Sequence, residues 1–486
     1  MTPTELAFES TTQLANLIRT REVSSVELLK MYFDRVDQFN PQLNAIVLQI
    51  RDEALHDARS CDAAIANGEV IGPLHGVPMT TKESFSITGL PSCWGIPELA
   101  GQNRTEDALS VQRLKKAGAV IFGKTNIPIQ LSDFQSYNEV YGVTNNPWDN
   151  SRGPGGSSGG SAAALASGMT GFEIGSDIGG SIRNPAHYCG VFGHKPTWNL
   201  LPMRGHAMPG VLTPSDISVI GPLARSAADL KIGLDVLAGP DEIFSQGYSL
   251  NLKPLANLVS GLRIAVWAND AIAPVNQETE ARVKAVARTF EKAGAEVSYN
   301  ARPDFTAEHS HAVYQYLLWA TMASRMTPTA YNEIRDLVNT LAEDDLNDAA
   351  NLARAQTASF KDWSAMNEAR THLRWAWHDF FQKYDILLTP MMATAAFKHD
   401  HAPMGQRSIT VDGVQRPYFE QLFWAGLTGV SYLPSTVVPT GPNDSGLPIG
   451  VQIAGPEYGD LQTIQCAEFL EENGYGFVAP PAYSGA

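Results

Sequence analysis

The chain has 486 residues, of which 44% are hydrophobic and 18% are charged, as in globular proteins with a substantial core. Its formal net charge of −16 at pH 7 disfavours binding to nucleic acid or to an anionic membrane through a general basic surface. The N-terminus lacks the basic and apolar regions of a signal peptide, and no apolar run reaches membrane-spanning length. Four scattered cysteines without a C-x-x-C pair predict reduced thiols and a cytoplasmic protein: Cys61, Cys93, Cys189 and Cys466.

Helix and strand patterns alternate along the first third of the chain. Ser24 and Glu27 have the spacing of a capping box, and apolar residues then recur at intervals of three and four. Further patterns predict a strand at 45–50, a helix at 51–67, a helix at 107–118 and a strand at 119–123. This alternation indicates an α/β fold with a mixed β-sheet core covered by helices on both faces.

The second half continues the alternation around one helix-rich segment. A strand at 262–267 and a helix at 278–293 precede it, and a strand at 385–389, a buried helix near 423–427 and strands at 436–438 and 449–454 follow it. The aromatic side chains of residues 305–381 can pack between helices or cover a substrate, and we predict an insertion that shapes the pocket. No repeat or low-complexity linker interrupts the chain, which predicts a single domain over residues 1–486.

Two glycine-serine clusters lie between Gly153 and Thr197, and each places a serine where the backbone can turn sharply. A phosphate-binding loop is the first alternative, but Ser161 stands where such a loop needs a lysine. A flexible or purely structural loop is the second alternative. The small residues after Ser161 favour a buried helix instead, with the serines as candidate nucleophiles.

A lysine is the candidate base for such a serine. Lys82 lies in a stretch of sequence with only one other charged residue, Glu83, so burial of the lysine is plausible. Burial lowers the pKa of a lysine, and the neutral amine can then accept a proton near pH 7. Lys124 and Lys195 are competing candidates, and the residues alone rank Lys82 first only narrowly.

These stretches together resemble the amidase signature family. Its D-x-G-G-S-x-R element is matched by residues 177–183, its G-G-S-S-G-G element by residues 155–160, and its G-x-P-x-x-x-K element by residues 76–82. The resemblance covers most of the chain and implies a serine nucleophile at Ser181, a relay serine held by a cis peptide at Ser157, and Lys82 as base. One departure is Glu83-Ser84, where the family often has Asp-Asn.

The resemblance also suggests supporting roles around these residues. The backbone N–H groups from Ile178 through Gly179 and Gly180 to Ser181 are candidate donors to the oxyanion of a tetrahedral intermediate. Asp177 and Arg183 are expected to organise the turn, and contact of Arg183 with a substrate carboxylate is the less favoured alternative. Ser158 is expected either to support Ser157 or to cap the following helix.

The implied activity is hydrolysis of a carboxamide through an acyl-serine, giving a carboxylic acid and an amine or ammonia. The aromatic residues of segment 305–381 weakly favour an aryl or apolar amide as the substrate. The alternatives are the glutaminase subunit of a tRNA-dependent amidotransferase and a catalytically dead binding protein. We expect a small-molecule amide as partner, no nucleic acid and no membrane; the oligomeric state stays open, with a homodimer as one candidate.

Histidine patterns give no competing chemistry. The pairs His309/His311 and His399/His401 lack a third ligand at useful spacing, so we predict no metal and no cofactor. Neither serine lies in a G-x-S-x-G elbow, so nearby histidines at 187 and 194 do not by themselves make a triad. The segment after Lys195 is interrupted by glycines and prolines, and it can form one wall of a pocket or pack as the tip of a loop. The side chains that would do so are Trp198, Met203, His206 and Met208.

Overall fold

The computed structural model describes residues 1–255, 259–342, 344–345 and 347–485. Its strands, in chain order, are β1 (Ile46–Gln49), β2 (Pro78–Lys82), β3 (Val120–Thr125), β4 (Tyr137–Asn138), β5 (Gly142–Val143), β6 (Glu173–Asp177), β7 (Phe192–Lys195), β8 (Val219–Ala224), β9 (Arg263–Val266), β10 (Glu296–Ser298), β11 (Ile386–Pro390), β12 (Ser408–Val411), β13 (Val414–Pro417), β14 (Ser435–Pro442) and β15 (Pro448–Ala454).

The α-helices of the described residues are α1 (Pro3–Phe8), α2 (Thr11–Arg19), α3 (Ser25–Leu43), α4 (Arg51–Ala66), α5 (Leu109–Lys116), α6 (Gly159–Ala166), α7 (Arg183–Cys189), α8 (Ala227–Leu237), α9 (Gln277–Lys292), α10 (Ala307–Ala323), α11 (Pro328–Val338), α12 (Asp348–Gln356), α13 (Phe360–Phe381), α14 (Leu422–Gly429), α15 (Asp460–Glu472) and α16 (Pro481–Ser484). None of them is both long and apolar enough to cross a bilayer.

A large mixed sheet forms the centre, in the strand order β10-β9-β11-β15-β14-β7-β8-β6. Strand β9 runs parallel to β10 and β11, and the other neighbours are antiparallel. Along β11, Leu387 packs into one apolar cluster while Ile386 and Leu388 pack into another. Since successive side chains of a strand point to opposite faces, the sheet is buried on both sides, which confirms the predicted α/β architecture.

A smaller sheet has the order β1-β3-β2, with β3 antiparallel to β1 and parallel to β2. Its edge strand β2 faces β6, the edge strand of the large sheet. Side chains bridge the two edges: Thr80 donates to Glu173, and Lys82 Nζ lies 2.9 Å from Ser176 Oγ. We call this contact between β2 and β6 the inter-sheet seam.

The predicted elements lie where the sequence placed them, within a few residues at their ends. The capping box of Ser24 and Glu27 is present at the start of α3. Residues 305–381 contain the four helices α10 to α13, so this segment is helix-rich as predicted. Its role as an insertion that shapes the pocket stays a prediction.

Candidate active site

Lys82 ends strand β2 and is completely buried. Its Nζ lies 2.6 Å from Ser157 Oγ and 2.9 Å from Ser176 Oγ. Burial holds the pKa of Lys82 well below its usual range, despite the opposing charge of Asp177. The competing lysines lie elsewhere: Lys124 donates to Ser92 Oγ at 2.8 Å, and Lys195 to the Pro196 carbonyl at 2.9 Å.

The segment of Ser157 precedes helix α6 and is fixed by Asn184. The Gly156–Ser157 peptide bond is cis. The Gly156 amide donates to Asn184 Oδ1 at 3.0 Å, and the Asn184 amide group donates back to the Gly156 carbonyl. No side chain fits at Gly156, because a Cβ there would lie 2.3 Å from the Asp133 carbonyl oxygen. The close packing therefore holds Ser157 Oγ at Lys82.

Ser158 stands at the N-cap position of α6 but makes no side-chain capping hydrogen bond. Its hydroxyl instead donates to the Ser176 carbonyl and accepts from the Ser176 amide, both at 3.3 Å. The capping alternative is therefore wrong, because the hydroxyl is turned toward strand β6.

Ser181 lies on the turn between β6 and α7. Gly180 has φ of 99°, a conformation that favours glycine, and this lets the chain reverse directly before the serine. The Ser158 amide donates to the Ser181 carbonyl at 3.1 Å, so the two serine segments run side by side. Within the described part of the chain, Ser181 Oγ makes no hydrogen bond, and the residue lines an open cavity.

Asp177 organises this turn. Its carboxylate accepts from the Gly180 amide at 2.8 Å and from the Ile182 amide at 3.0 Å, and it pairs with Arg183 at 2.9 Å. Burial alone raises the pKa of Asp177, but the charge and hydrogen bonds of Arg183 outweigh it and lower the value to about 2. Arg183 has no exposed side-chain surface, so it does not face a substrate.

The remaining turn amides are available as donors. Among the described residues, the N–H groups of Ile178, Gly179 and Ser181 have no hydrogen-bond partner, whereas that of Gly180 is already donated to Asp177. Tyr314 on α10 donates to the Ile178 carbonyl at 3.0 Å and fixes that peptide from behind. Three of the four predicted oxyanion donors are thus free.

The cavity beside Ser181 is lined mainly by apolar side chains: Leu131, Phe134, Ile178, Leu318, Trp319, Met322, Phe419 and Leu422. Its one acidic lining residue, Asp133, is paired with Arg407 at 2.6 Å and accepts from the Tyr418 hydroxyl at 2.6 Å. The lining therefore suits an apolar group beside Ser181.

The histidines do not reach Ser181. The His187 ring lies between Gly450 and Thr394, and burial lowers its pKa to about 4. His194 contacts Thr436 and Asp460. His206 lies 2.9 Å from Ser84 Oγ. In the described ranges, no group of three or more His, Cys, Asp or Glu side chains is placed to hold a metal ion.

None of the four residues of the predicted pocket wall belongs to the lining of the cavity beside Ser181. Met208 packs against the apolar cluster that contains Trp94, and His206 lies beside the same indole. Trp198 stacks on Tyr432, and Met203 packs into the core. The sequence also did not single out Ser176, Asn184 or Arg325, and it offered Tyr314 only as one of the aromatic residues of segment 305–381. The first two directly flank the 177–183 element, which is a usable signal, but the last two come from a segment 130 residues away or more, and only the fold brings them here.

Known proteins resemble this chain over nearly its whole length. The family model described as Amidase matches residues 27–464. A glutamyl-tRNA(Gln) amidotransferase subunit of Carboxydothermus hydrogenoformans is 31% identical, over 96% of this chain and 98% of that protein. The indoleacetamide hydrolase of Bradyrhizobium diazoefficiens is also 31% identical, over 95% of this chain and 86% of the relative. A solved bacterial aryl acylamidase superposes with a TM-score of 0.82 and 26% identity, and 98% of each chain is covered.

Proposed function

Since this chain belongs to the amidase signature family, we propose that it hydrolyses the C–N bond of a small carboxamide through an acyl-serine intermediate. One observation carries the proposal: the buried Lys82 amine lies 2.6 Å from Ser157 Oγ, next to a serine that lines a cavity. Coarsely, the chain is an amidase-family hydrolase. The residue roles and substrate class are our proposal.

In the first half-reaction, Ser181 Oγ attacks the amide carbonyl and gives its proton to Ser157, which passes its own proton to neutral Lys82. A hydroxyl can do this because it both donates and accepts. Ser181 Oγ makes no hydrogen bond to the described residues, so its hydrogen bond to Ser157 has to form when substrate binds. The amides of Ile178, Gly179 and Ser181 stabilise the oxyanion, as each such donor contributes about 3–4 kcal/mol.

Acylation is complete when the relay returns the proton to the leaving nitrogen and the C–N bond breaks. An amine or ammonia departs, and the acyl group stays on Ser181. Water then attacks the ester and loses a proton to the same relay. As the acyl–oxygen bond breaks, the relay returns this proton to Ser181 Oγ and the carboxylic acid leaves. In this cycle, protons move only between Ser181, Ser157, Lys82, the substrate and water.

The apolar cavity supports an aryl or aliphatic acyl group as the substrate part beside Ser181. Relatives of equal identity carry the names of an amide hydrolase and of an amidotransferase subunit, so similarity does not favour the alternative of a glutaminase subunit. The four free, buried cysteines support a reducing, cytoplasmic location.

The test is hydrolysis of a panel from glutamine to anilides by the purified chain. We expect turnover that falls about a thousandfold or more in Ser181→Ala and about 100- to 10,000-fold in Lys82→Ala. Added hydroxylamine should yield the hydroxamate, because it intercepts the acyl-serine.

Matched controls are Ser60→Ala and Lys231→Ala on the surface of α4 and α8, which should keep wild-type rates, with circular dichroism to confirm folding of every variant. Turnover that persists in Ser181→Ala would remove that residue as the nucleophile.

A further inference from the structure

Arg325 is partly buried, and it has fewer hydrogen-bond partners than the buried arginines of the described residues. One of these, Arg370, donates to both carboxylate oxygens of Asp216 and also to Asn367. Arg35, Arg183, Arg225 and Arg407 each donate to three or more groups. The Arg325 guanidinium makes one hydrogen bond, to the Gln130 carbonyl at 3.2 Å, and lies over the Trp94 ring at 5.0 Å. A guanidinium has five N–H donors, so about four of them have no partner among the described residues.

Arg325 is not itself one of the residues that line the cavity, but it lies next to elements that do. It follows α10 directly, and Met322, one turn earlier, lines the cavity together with Ser181. Its acceptor Gln130 adjoins Leu131, another lining residue. The charge of Arg325 lowers the pKa of Lys82 and that of His206, so the guanidinium lies within electrostatic range of the proposed base.

No carboxylate of the described residues neutralises Arg325. Burial lowers its pKa to about 10, and no nearby acid opposes this shift. The acids in the vicinity are occupied: Asp133 pairs with Arg407, and Glu83 accepts from the amides of Cys93 and Trp94. Among the described residues, this cation near the cavity therefore has no counter-ion at neutral pH.

We propose that Arg325 and Trp94 form an anion-recognition subsite, and that the substrates are carboxamides that carry a carboxylate at one end. The inference rests on the proposed amidase function and narrows its substrate class. The carboxylate accepts hydrogen bonds from the free guanidinium N–H groups, while the apolar lining contacts the carbon skeleton. The indole ring of Trp94, which is buried, holds the guanidinium over its face at 5.0 Å and so fixes the position of the cation.

The test compares kcat/KM for matched pairs that differ only in the charged group. On the acyl side, succinamate is paired with butyramide and glutaramate with valeramide. On the amine side, 4-acetamidobenzoate is paired with 4-methylacetanilide. We expect the charged member of at least one pair to be preferred about 10- to 100-fold, because a hydrogen-bonded charge pair gives discrimination of this size.

Arg325→Gln should bring this ratio close to one, and Arg325→Lys should keep part of it. A ratio is used because partial misfolding lowers both rates equally. The control Arg335→Gln removes the same charge from an exposed position on α11 and should keep the wild-type ratio.

Two results would overturn the subsite: no preference for the charged member in any pair, or a preference that Arg325→Gln retains. Hydrolysis of neutral amides under either result would leave the proposed function intact. If no amide is hydrolysed, calorimetric titration of Ser181→Ala with the same pairs tests the subsite. Tighter binding of the charged member supports the subsite if this preference is lost in Ser181→Ala/Arg325→Gln. Equal affinity of Ser181→Ala for the charged and the neutral member refutes it.

Discussion

At the scale of single residues, the chemistry depends on keeping one amine neutral. Lys82 is charged in water at pH 7, and burial on strand β2 is the main cause that lowers its pKa. Nearby charges act in both directions: Asp177 and Glu83 favour the ammonium, whereas Arg325 disfavours it. The same guanidinium that we assign to substrate recognition therefore also helps to prepare the base.

The pH dependence of neutral-amide hydrolysis tests this arrangement. Since the base works only when deprotonated, kcat/KM should fall as the pH drops through the pKa of Lys82. Arg325→Gln removes a positive charge, so the pKa of Lys82 rises and the acid limb of the profile moves to higher pH. Arg335→Gln should leave the limb in place. An acid limb that stays put or moves to lower pH in Arg325→Gln would contradict the coupling.

At the scale of elements, the turn from β6 to α7 is built around one buried ion pair. Asp177 and Arg183 are both fully buried, and Arg183 also donates to Gln452 on β15 at 2.7 Å and to Thr428 on α14 at 3.0 Å. The pair thus ties the serine turn to the centre of the large sheet. Breaking it leaves a buried charge without its partner, which is more costly than losing a surface pair.

Asp177→Asn should therefore lower the free energy of unfolding by about 3–5 kcal/mol, measured by urea denaturation at pH 7. The control Asp235→Asn removes an exposed carboxylate that pairs with Lys231 and should cost about 1 kcal/mol or less. Equal losses in the two variants would show that the buried pair does not hold the turn.

The same element shows how far sequence reasoning reaches. The motifs at 76–82 and 155–160 predicted that Lys82 and Ser157 meet, and the two side chains do lie in contact. The predicted contact of Ser181, from the motif at 177–183, with Ser157 stays a prediction. The motifs did not predict that the Gly180 amide donates its hydrogen bond to Asp177, because backbone hydrogen bonding depends on the turn geometry. Strand β6 was also missed: its sequence Glu-Ile-Gly-Ser-Asp lacks the alternation of a half-buried strand, and tertiary pairing with β8 decides its conformation.

At the scale of the whole molecule, two sheets meet at the inter-sheet seam. Glu173 lies there with no exposed surface, and burial raises its pKa to about 8. It accepts a hydrogen bond from Thr80 across the seam, while its other oxygen has no partner among the described residues. The carboxyl is therefore protonated at neutral pH in the folded protein.

This predicts a stability that declines as the pH rises from mildly acidic to neutral values. The unfolded chain releases the Glu173 proton near pH 4.3 and the folded one near pH 8, so between these values the folded state binds more protons and loses stability as the pH rises. Relative to Glu173→Gln, the wild type should lose up to about 1.4 kcal/mol for each pH unit in this window. Urea denaturation at pH 5, 6, 7 and 8 measures this difference. The free energy of unfolding of the exposed control Glu53→Gln should change with pH as that of the wild type does. If the free energy of Glu173→Gln also changes with pH in the same way, the assignment is refuted.

The seam also determines when the proposed relay comes into existence. Lys82 belongs to the edge strand of the small sheet, whereas Ser176, Asp177 and the Ser181 turn belong to the edge of the large one. Neither sheet contains the proton path alone. Turnover thus depends on the contact between the two sheets as well as on the three side chains, so a substitution far from Ser181 that separates β2 from β6 should lower activity.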